Sequence, residues 1–320
     1  MLQALAERLL QGGELDREEA LALCQLEGEE LYELFAQAGR LARRLRGQGV
    51  DLCSIVSAKT GGCPEDCSYC AQSVRAKAEL RRHGLLPLEE VLQKAQEAKA
   101  FGVRRFCVVC SGRRPSPEEL RKIARMLQDI RELGLSPCAT LGLLGKEELR
   151  MLKEHGLQRY HHNLESSERF FPEVCSTHSW AEKLRTLEAA REVGLSVCSG
   201  GIFGLGEEWS DRVDMALTLR HLGVDSVPLN FLIPIKGTRL QHLEPPPPLE
   251  ALKIVSLYRF ILPRKEIRLC GGRPQSLGPL GGLVFMAGAD GLLTGPYLTT
   301  QGMEPREDLR LIEAWGLRVL

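Results

Sequence analysis

The sequence predicts an α/β protein: a single (β/α)8 barrel of the TIM type with an N-terminal helical extension. Two observations lead to this prediction. From Val50 onward, short runs rich in β-branched residues alternate with longer amphipathic stretches, which is the pattern of repeated βα units around a parallel sheet. In addition, a chain of 320 residues, 43% of them hydrophobic, can bury the core of one such barrel without a second domain.

Residues 1–47 are predicted to form the helical extension, and residues 48–320 the barrel together with a C-terminal helix. In the extension, leucine and alanine residues recur at helical spacing around a Gly12-Gly13 break. Eight strand-like runs follow, the number with which a barrel of this type closes. They are residues 52–57, 105–109, 136–141, 160–164, 196–202, 226–233, 267–269 and 291–294.

Capping motifs mark where two of the intervening helices begin. Ser116 is followed three residues later by Glu119, and Ser179 by Glu182 in the same way. In such a capping box the serine hydroxyl and the glutamate each accept a backbone N–H of the other residue. We therefore expect helices to start directly after both serines.

The overall composition excludes several classes of partner. Lys and Arg residues number 42 and so do Asp and Glu residues, and there is no basic run to neutralise a phosphate backbone, so nucleic acid is not expected. No apolar stretch approaches the roughly 18 residues of a membrane span, and no signal-peptide pattern is visible, so we expect a cytoplasmic location. Eleven cysteines in a reducing compartment favour metal binding or catalysis over disulfides.

Cys63, Cys67 and Cys70 lie in one loop directly after the first predicted strand. Their spacing lets a single loop bring three thiolates to one face of a 4Fe-4S cluster, whose fourth iron stays open to a chelating ligand. A zinc site is the alternative, but zinc sites prefer paired cysteines or a completing histidine, and the next histidine is His83. In a barrel this loop opens at the mouth where catalytic groups gather.

A Cys-x-x-x-Cys-x-x-Cys motif in this position resembles that of the radical S-adenosylmethionine superfamily. The resemblance implies that S-adenosylmethionine chelates the open iron and that one electron splits its sulfonium to give a 5'-deoxyadenosyl radical. Over residues 50–300 the sequence further resembles the biotin synthase family, which inserts sulfur into dethiobiotin. The segments that carry this second resemblance are residues 57–73, 160–165, 197–207, 226–230 and 285–289.

Cys107, Cys138 and Cys198 each lie on a different predicted strand, so all three are able to face one barrel lumen. A single buried cysteine is often only a packing residue, but three beside a radical motif suggest a second cluster. By resemblance, these cysteines and Arg268 match the positions that hold an auxiliary 2Fe-2S cluster, the sulfur donor, in the best-known form of the family. A carboxylate-binding arginine in the barrel core is the alternative role for Arg268.

Two further cysteines depart from the pattern of that best-known form. Cys110 follows Cys107 by three residues, and Cys270 follows Arg268 by two, which gives Arg268 and Cys270 the same face of a strand. We hypothesise that Cys110 or Cys270 joins the auxiliary site and makes it a cluster larger than 2Fe-2S. No role is predicted for the remaining cysteines, Cys24, Cys53 and Cys175.

The resemblance also assigns residues to the substrate and the cofactor. Asn163 and Asn230 are expected to bind the ureido ring of dethiobiotin, since amide groups offer donors and acceptors to a planar urea. The well-known form has aspartate in place of Glu165 and arginine in place of Lys183, which leaves the details of those contacts open. The residues expected at the cofactor are Tyr69, Asn163, Glu165, Lys183 and Gly204.

The implied partners are an electron donor such as flavodoxin or ferredoxin and a second copy of the chain in a homodimer. Two alternatives stay open. One is another radical enzyme on the same barrel, of the hydrogenase-maturation or pyrrolysine-pathway type, which needs no sulfur donor; the lumen cysteines argue against it. The other is a non-catalytic iron-sulfur carrier or scaffold, against which the substrate-binding residues argue.

Overall fold

A computed structural model of the protein describes residues 1–300 and 302–320. The helices are Leu2–Leu10 (α1), Arg17–Cys24 (α2), Gly28–Arg46 (α3), Leu88–Ala100 (α4), Pro117–Glu132 (α5), Lys146–Glu154 (α6), Phe171–Val174 (α7), Trp180–Glu192 (α8), Trp209–His221 (α9), Pro248–Ile261 (α10), Arg273–Leu277 (α11) and Pro305–Ala314 (α12), with a 3₁₀ helix at Gly278–Val284. The strands are Gly49–Lys59 (β1), Arg105–Cys110 (β2), Ser136–Thr140 (β3), Arg159–His161 (β4), Ser196–Cys198 (β5), Gly201–Phe203 (β6), Ser226–Phe231 (β7), Glu266–Leu269 (β8), Gly291–Leu293 (β9) and Arg318–Val319 (β10).

The strands form a closed parallel barrel, which confirms the predicted fold class. Their order around the ring is β1-β2-β3-β4-β5-β7-β8-β9, and β9 pairs again with β1. Short β6 adds to β7 above β5, and β10 adds to the first residues of β1. Both predicted capping boxes are present, at the starts of α5 and α8. Each wall of the lumen is therefore a strand whose carboxyl end carries a loop at one common mouth.

The predicted strand 196–202 is interrupted in the structure. β5 and β6 are separated because the amide of Gly200 donates to the side-chain oxygen of Asn163, at 3.2 Å, instead of extending the β5 ladder. The fourth strand is also shorter than predicted. Glu165 takes a left-handed backbone conformation, with φ of 71°, and its N–H donates to the carbonyl of Gly200. Both interruptions lie at the mouth of the barrel.

The N-terminal helices share the apolar core of the barrel. Helix α3 packs against α1 and α10, and α2 packs against α9 and α10. The approach is close at Gly39, where a Cβ atom would lie 2.6 Å from the carbonyl oxygen of Met286. One continuous cluster of buried apolar side chains includes residues of these helices and of the layer outside the strands. The domain boundary at residue 47 stays a prediction.

A buried carboxylate, Asp290, joins α3 and α10 to the floor of the barrel. Its Oδ1 atom accepts from the guanidinium of Arg259 at 2.5 Å and from the backbone N–H of Ile267 at 2.8 Å. Its Oδ2 atom accepts from Arg46 at 2.7 Å. Arg259 is itself fully buried, so this carboxylate balances a charge that water does not reach.

In residues 1–300 and 302–320, none of the helices combines the length and the apolar character that crossing a membrane requires.

Candidate functional site

A cavity of about 330 Å³ fills the barrel lumen and extends to the loops at its mouth. Its lining has three parts: a ring of thiols, a group of guanidinium side chains toward the floor, and a set of polar and aromatic residues near the mouth. The thiols and guanidiniums are those of Cys53, Cys70, Cys107, Cys138, Cys198, Cys270, Arg105, Arg159 and Arg268. The three predicted lumen cysteines thus reach one cavity.

Cys107 and Cys138 are direct neighbours on β2 and β3. Burial raises the pKa of Cys107, whereas the hydrogen bond from Cys107 and nearby guanidiniums lower the pKa of Cys138. Cys107 also contacts the hydroxyl of Thr140 at 3.4 Å, and Cys198 on β5 contacts that of Ser226 at 3.5 Å. The surroundings of Cys138 therefore favour its thiolate form more than those of Cys107 do.

Cys53 and Cys270 face each other across β9, where they pack with Leu293. Burial raises the pKa of Cys53 to about 12 and that of Cys270 well above its ordinary value, so both are neutral thiols in the metal-free protein. Cys53 shares its face of β1 with Ile55, which lines the same cavity. No role was predicted for Cys53, and alternation along β1 groups it with Ile55 without identifying their face as the lumen.

Cys110 does not lie in the lumen, which corrects the hypothesis that it could join the auxiliary site. Cys107 and Val109 line the cavity, so the next residue on β2 points to the opposite side of the sheet. There Cys110 packs within the apolar layer between the strands and the helices. Of the two departing cysteines, Cys270 alone reaches the cavity.

Arg268 lines the lumen but is held by acidic and carbonyl groups. Its Nη2 atom pairs with Asp51 at 2.5 Å and with Glu266, and its Nη1 atom donates to the carbonyls of Asp51 at 3.1 Å and Leu292 at 3.0 Å. Although burial opposes the charge, these carboxylates raise the pKa of Arg268 well above its ordinary value. A metal ligand would need a neutral nitrogen, so these contacts oppose ligation by Arg268.

Two cationic side chains in the lumen escaped the sequence analysis. Arg159 on β4 pairs with Glu266 at 3.3 Å and donates to Ser196. Arg105 on β2 keeps its Nε–H buried, with no hydrogen-bond partner among the residues that the structure describes. With Arg268, three guanidiniums face the two carboxylates Asp51 and Glu266, an excess of one positive charge if all are ionised. Thiols, an unpartnered N–H donor and positive charge are a donor set that fits an anionic iron-sulfur cluster.

The loop cysteines Cys63, Cys67 and Cys70 are half-buried in a compact turn. The N–H of Cys70 donates to the carbonyl of Cys67 at 3.1 Å, and Cys63 pairs through its backbone with Gln72 and Val74. Cys67 and Cys70 line a second cavity of about 190 Å³, and Cys70 also lines the lumen. The loop therefore offers thiols at the junction of the two cavities.

The sulfur atom of Cys67 lies within 4.8 Å of Cys175 and His178. The hydrogen bond with Cys175, together with burial, raises the pKa of Cys67, and the same bond lowers the pKa of Cys175 to about 4. Neither Cys175 nor His178 was predicted to belong to the site. Their spacing of three residues just before α8 is the signal that could have drawn attention to them.

Polar residues predicted for the ligands meet near the mouth. Asn163, Glu165, Asn230 and Tyr69 all line the lumen cavity. Asn163 donates to Glu165 at 3.3 Å, and burial together with this nearby carboxylate raises the pKa of Tyr69 well above its ordinary value. Asn230 is oriented by the carbonyl of Gly201, at 3.1 Å, and by the amide N–H of Gly271, at 3.0 Å. The polar groups at the mouth are thus fixed before any ligand arrives.

Two predicted cofactor residues lie outside the lumen lining. Lys183 is buried behind Asn163 and donates to its backbone carbonyl at 3.0 Å, with its charge close enough to Cys67 to favour the thiolate. Gly204 donates its N–H to the carboxylate of Glu207 at 3.0 Å. Its neighbour Ile202, which was not singled out, lines the cavity instead.

Comparisons of the sequence with known proteins agree on one family, and a structural comparison shows the fold. The family model described as the radical SAM superfamily matches residues 58–219, and that of the biotin and thiamin synthesis associated domain matches residues 228–318. The biotin synthase of Thermodesulfovibrio yellowstonii is 49% identical over 92% of this chain and 93% of that protein. The biotin synthase of Pelobacter propionicus is 44% identical over 99% and 97%. The crystal structure of a methylornithine synthase, at 21% identity, covers 99% of this chain and 97% of that one with a TM-score of 0.86, which shows the shared fold.

Proposed function

Because the chain belongs to the biotin synthase family of radical S-adenosylmethionine enzymes, we propose that it converts dethiobiotin to biotin by inserting sulfur. The observation that carries this proposal is one lumen that contains a ring of thiols and also reaches the loop of the radical motif. A barrel enzyme of this superfamily without a sulfur donor would need no such ring. A non-catalytic iron-sulfur carrier would need no cavity for a substrate.

The loop thiols of Cys63, Cys67 and Cys70 are the ligands that would hold the 4Fe-4S cluster. When bound, this cluster and S-adenosylmethionine supply a 5'-deoxyadenosyl radical, and the lumen cluster supplies the sulfur atom. The contribution of the chain is orientation and the exclusion of water. Lys183 brings a buried cation near Cys67, which suits the carboxylate of the cofactor.

The lumen offers complementary surfaces to dethiobiotin. Asn163 and Asn230 each use only part of their amide capacity on the described backbone and side-chain groups, so each retains donors and acceptors for a ureido ring. The walls beside them are apolar and would take the hydrocarbon part of the substrate. These wall residues are Ile55, Val109, Ile202, Leu293 and Leu298.

An anaerobic assay tests this function directly. The reconstituted enzyme is expected to form 5'-deoxyadenosine from S-adenosylmethionine and to form biotin when dethiobiotin is added. Asn230→Ala should reduce biotin formation by about tenfold or more, since the neutral urea would lose a hydrogen-bonding partner. Gln93→Ala, which removes an amide side chain exposed on α4 and outside the cavity, is the control that should change it little. Release of 5'-deoxyadenosine without any sulfur in the product would favour a different radical enzyme.

For the auxiliary cluster, we infer a ligand set of Cys107, Cys138 and Cys198 with Cys270 as the fourth ligand in place of Arg268. Three considerations support this choice. Arg268 is committed to Asp51 and Glu266, whereas Cys270 faces the cavity with only a weak contact of 3.9 Å to a carbonyl. A fourth thiolate permits a cluster larger than 2Fe-2S, and a thiolate is the usual cluster ligand.

Iron and sulfide counts on Cys63→Ala, which removes one loop ligand, separate the two cluster types. We expect about four iron atoms per protein at the lumen site. This number should decrease when Cys270→Ala is added to Cys63→Ala, and it should not change when Cys110→Ala is added instead. Cys110 is the matched control because it is a buried cysteine of the same barrel outside the lumen. A count of two irons that does not respond to Cys270→Ala would instead support the 2Fe-2S cluster and Arg268.

We further infer that the electron donor is an acidic protein such as flavodoxin or ferredoxin. Exposed cationic side chains in two segments, residues 75–82 and 236–239, lie close to the loop of the radical motif. The two segments are joined by a hydrogen bond from the N–H of Lys77 to the carbonyl of Gly237 at 2.8 Å. Such a surface attracts acidic partners at low ionic strength. Charge reversal at two of these residues should slow reduction of the cluster, most strongly at low salt. The cations are Arg75, Lys77, Arg81, Arg82, Lys236 and Arg239.

The homodimer that the family resemblance implies stays a prediction, which light scattering on the purified protein checks.

A further inference from the structure

Three potential metal ligands meet beside the radical motif: the thiols of Cys67 and Cys175 and the imidazole of His178. Their ligand atoms all lie within 4.8 Å of one another, and the contact between Cys175 Sγ and His178 Nδ1 is 3.2 Å. Cys175 and His178 belong to the segment between α7 and α8, which the radical motif does not include. The group is thus assembled from two separate parts of the chain.

Neighbouring carboxylates hold this group in place. Asp66 accepts hydrogen bonds from the N–H of Ser176, at 2.9 Å, and from the Cys175 thiol, at 3.2 Å. Glu65 accepts from His178 Nδ1 at 2.6 Å, a bond that this nitrogen gives up if it ligates an ion, whereas ligation through Nε2 keeps the bond. Cys175 is buried, and His178 is largely shielded from solvent. Ligands that are oriented by outer hydrogen bonds and shielded by protein are the usual surroundings of a bound metal ion.

The chemistry of the three donors selects a particular class of ion. Two sulfur atoms and one imidazole nitrogen suit a tetrahedral, borderline-soft divalent cation, and among the common ones Zn²⁺ binds such donors more tightly than Co²⁺ or Fe²⁺. Bond lengths of about 2.3 Å to sulfur and about 2.0 Å to nitrogen place the donors roughly 3.5 to 3.8 Å apart. The three donor atoms, which lie within 4.8 Å of one another, therefore need side-chain shifts of about 1 Å to bind one ion.

We propose that the cluster-free protein binds one Zn²⁺ ion between Cys67, Cys175 and His178, and that this binding excludes the 4Fe-4S cluster of the radical motif. The exclusion rests on the proposed function, because it requires Cys67 to be a ligand of that cluster. Closing the three donors around zinc shifts Cys67 toward Cys175 and His178, and a thiolate that is shared with zinc binds a cluster iron more weakly. Zinc bound there would hold the enzyme inactive until it is removed.

Titration of the cluster-free protein with Co²⁺, a spectroscopic substitute for zinc, tests the site. The titration is done under anaerobic, reducing conditions. The wild type should bind one more equivalent of Co²⁺ than Cys175→Ser or His178→Gln does, and this additional Co²⁺ should show the absorption of a tetrahedral ion with thiolate ligands. The lumen thiols are the same in all these proteins, so the difference isolates this site. His155→Gln, on an exposed histidine, and Cys63→Ser, in the radical motif but outside the group, should bind as the wild type does.

Cluster loading then tests the exclusion. Prior addition of one equivalent of Zn²⁺ should slow loading of the loop cluster at least about tenfold in the wild type and little in Cys175→Ser. A Co²⁺ signal that is lost in Cys63→Ser but kept in Cys175→Ser would overturn the proposal, as would loading that zinc does not affect. If Cys63→Ser instead retains its loop cluster, then the proposed ligation of that cluster fails while the Co²⁺ result still stands. Circular dichroism of each variant checks that it is folded.

Discussion

At the scale of single residues, His162 illustrates how the barrel enforces a protonation state. Its ring follows β4 directly and stacks on that of Tyr160, with 6.4 Å between the ring centroids. The Nε2 atom finds no partner among the residues that the structure describes. Burial lowers the pKa of His162 well below its ordinary value, so the folded protein keeps this imidazole neutral.

Stability should therefore fall as the pH drops below about 6.5, the ordinary pKa of histidine, because only the unfolded chain then takes up the proton. Between pH 7.5 and 5.5 the free energy of unfolding should fall in both proteins. The fall should be about 1 kcal/mol smaller in His162→Phe, which keeps the stacking, than in the wild type. Urea unfolding at several pH values measures this difference. His242→Asn, on an exposed histidine, should follow the wild-type curve. Parallel curves for His162→Phe and the wild type would contradict the prediction.

Side chains alternate between the two faces of a strand, and this alternation is what makes the lumen residues of the candidate site predictable from the sequence. Cys110 is the third residue after Cys107, and an odd offset puts the two on opposite faces of β2, so the sequence alone could have separated Cys110 from the lumen cysteines. Cys53 is different. Alternation groups Cys53 with Ile55, but their face of β1 mixes these apolar residues with Asp51 and Ser57, so only the closed barrel tells that this face is the lumen. Arg105 and Arg159 could have been found, since alternation puts Arg105 on the face of Cys107 and Arg159 on that of Asn163.

At the scale of secondary-structure elements, the junction between β5 and β6 depends on two glycines. A Cβ atom on Gly200 would lie 2.0 Å from the carbonyl oxygen of Pro228, and one on Gly201 would lie 2.4 Å from that of Glu165. All these contacts are to backbone, which has little room to move. The glycines thus let β6 pass between Glu165 and β7, and they bring Asn163 and Asn230 to one cavity.

Gly201→Ala is expected to destabilise the protein by about 2 kcal/mol through overpacking and to weaken dethiobiotin binding, since Asn230 is oriented by the Gly201 carbonyl. Chemical unfolding and a binding titration measure the two effects. Gly281→Ala provides the control, because a Cβ atom there meets no described atom within 4 Å. Equal stability of the two variants would show that the junction tolerates a methyl group.

The sequence predicted the existence and order of the elements better than their ends. The Ser116 and Ser179 boxes located two helix starts because a cap depends on neighbouring residues alone. By contrast, the break between β5 and β6 depends on Asn163, whose side chain captures the Gly200 amide from 37 residues away. Interactions between such distant residues leave no local pattern, so the run 196–202 looked like one strand.

At the scale of the whole molecule, Asp290 connects the N-terminal helices, α10 and the barrel floor. Asp290→Ala would leave the fully buried Arg259 without its carboxylate and should cost about 3 to 5 kcal/mol of folding free energy. Denaturant unfolding measures the loss. Glu118→Ala, which removes one partner of an exposed pair with Lys122, should cause no measurable change. Similar midpoints for the two variants would argue against a central role for Asp290.

The proposed ligands of the two clusters differ in how far apart they lie along the chain. The loop thiols all fall between residues 63 and 70, whereas the lumen thiols come from β2, β3 and β5 and from Cys270 after β8. Contacts between distant residues form only after most of the chain has been ordered. The proposed lumen cluster therefore requires the closed barrel, whereas the ligands of the proposed loop cluster all come from one short segment. Any factor that replenishes spent sulfide must then deliver it through the open end of a finished barrel.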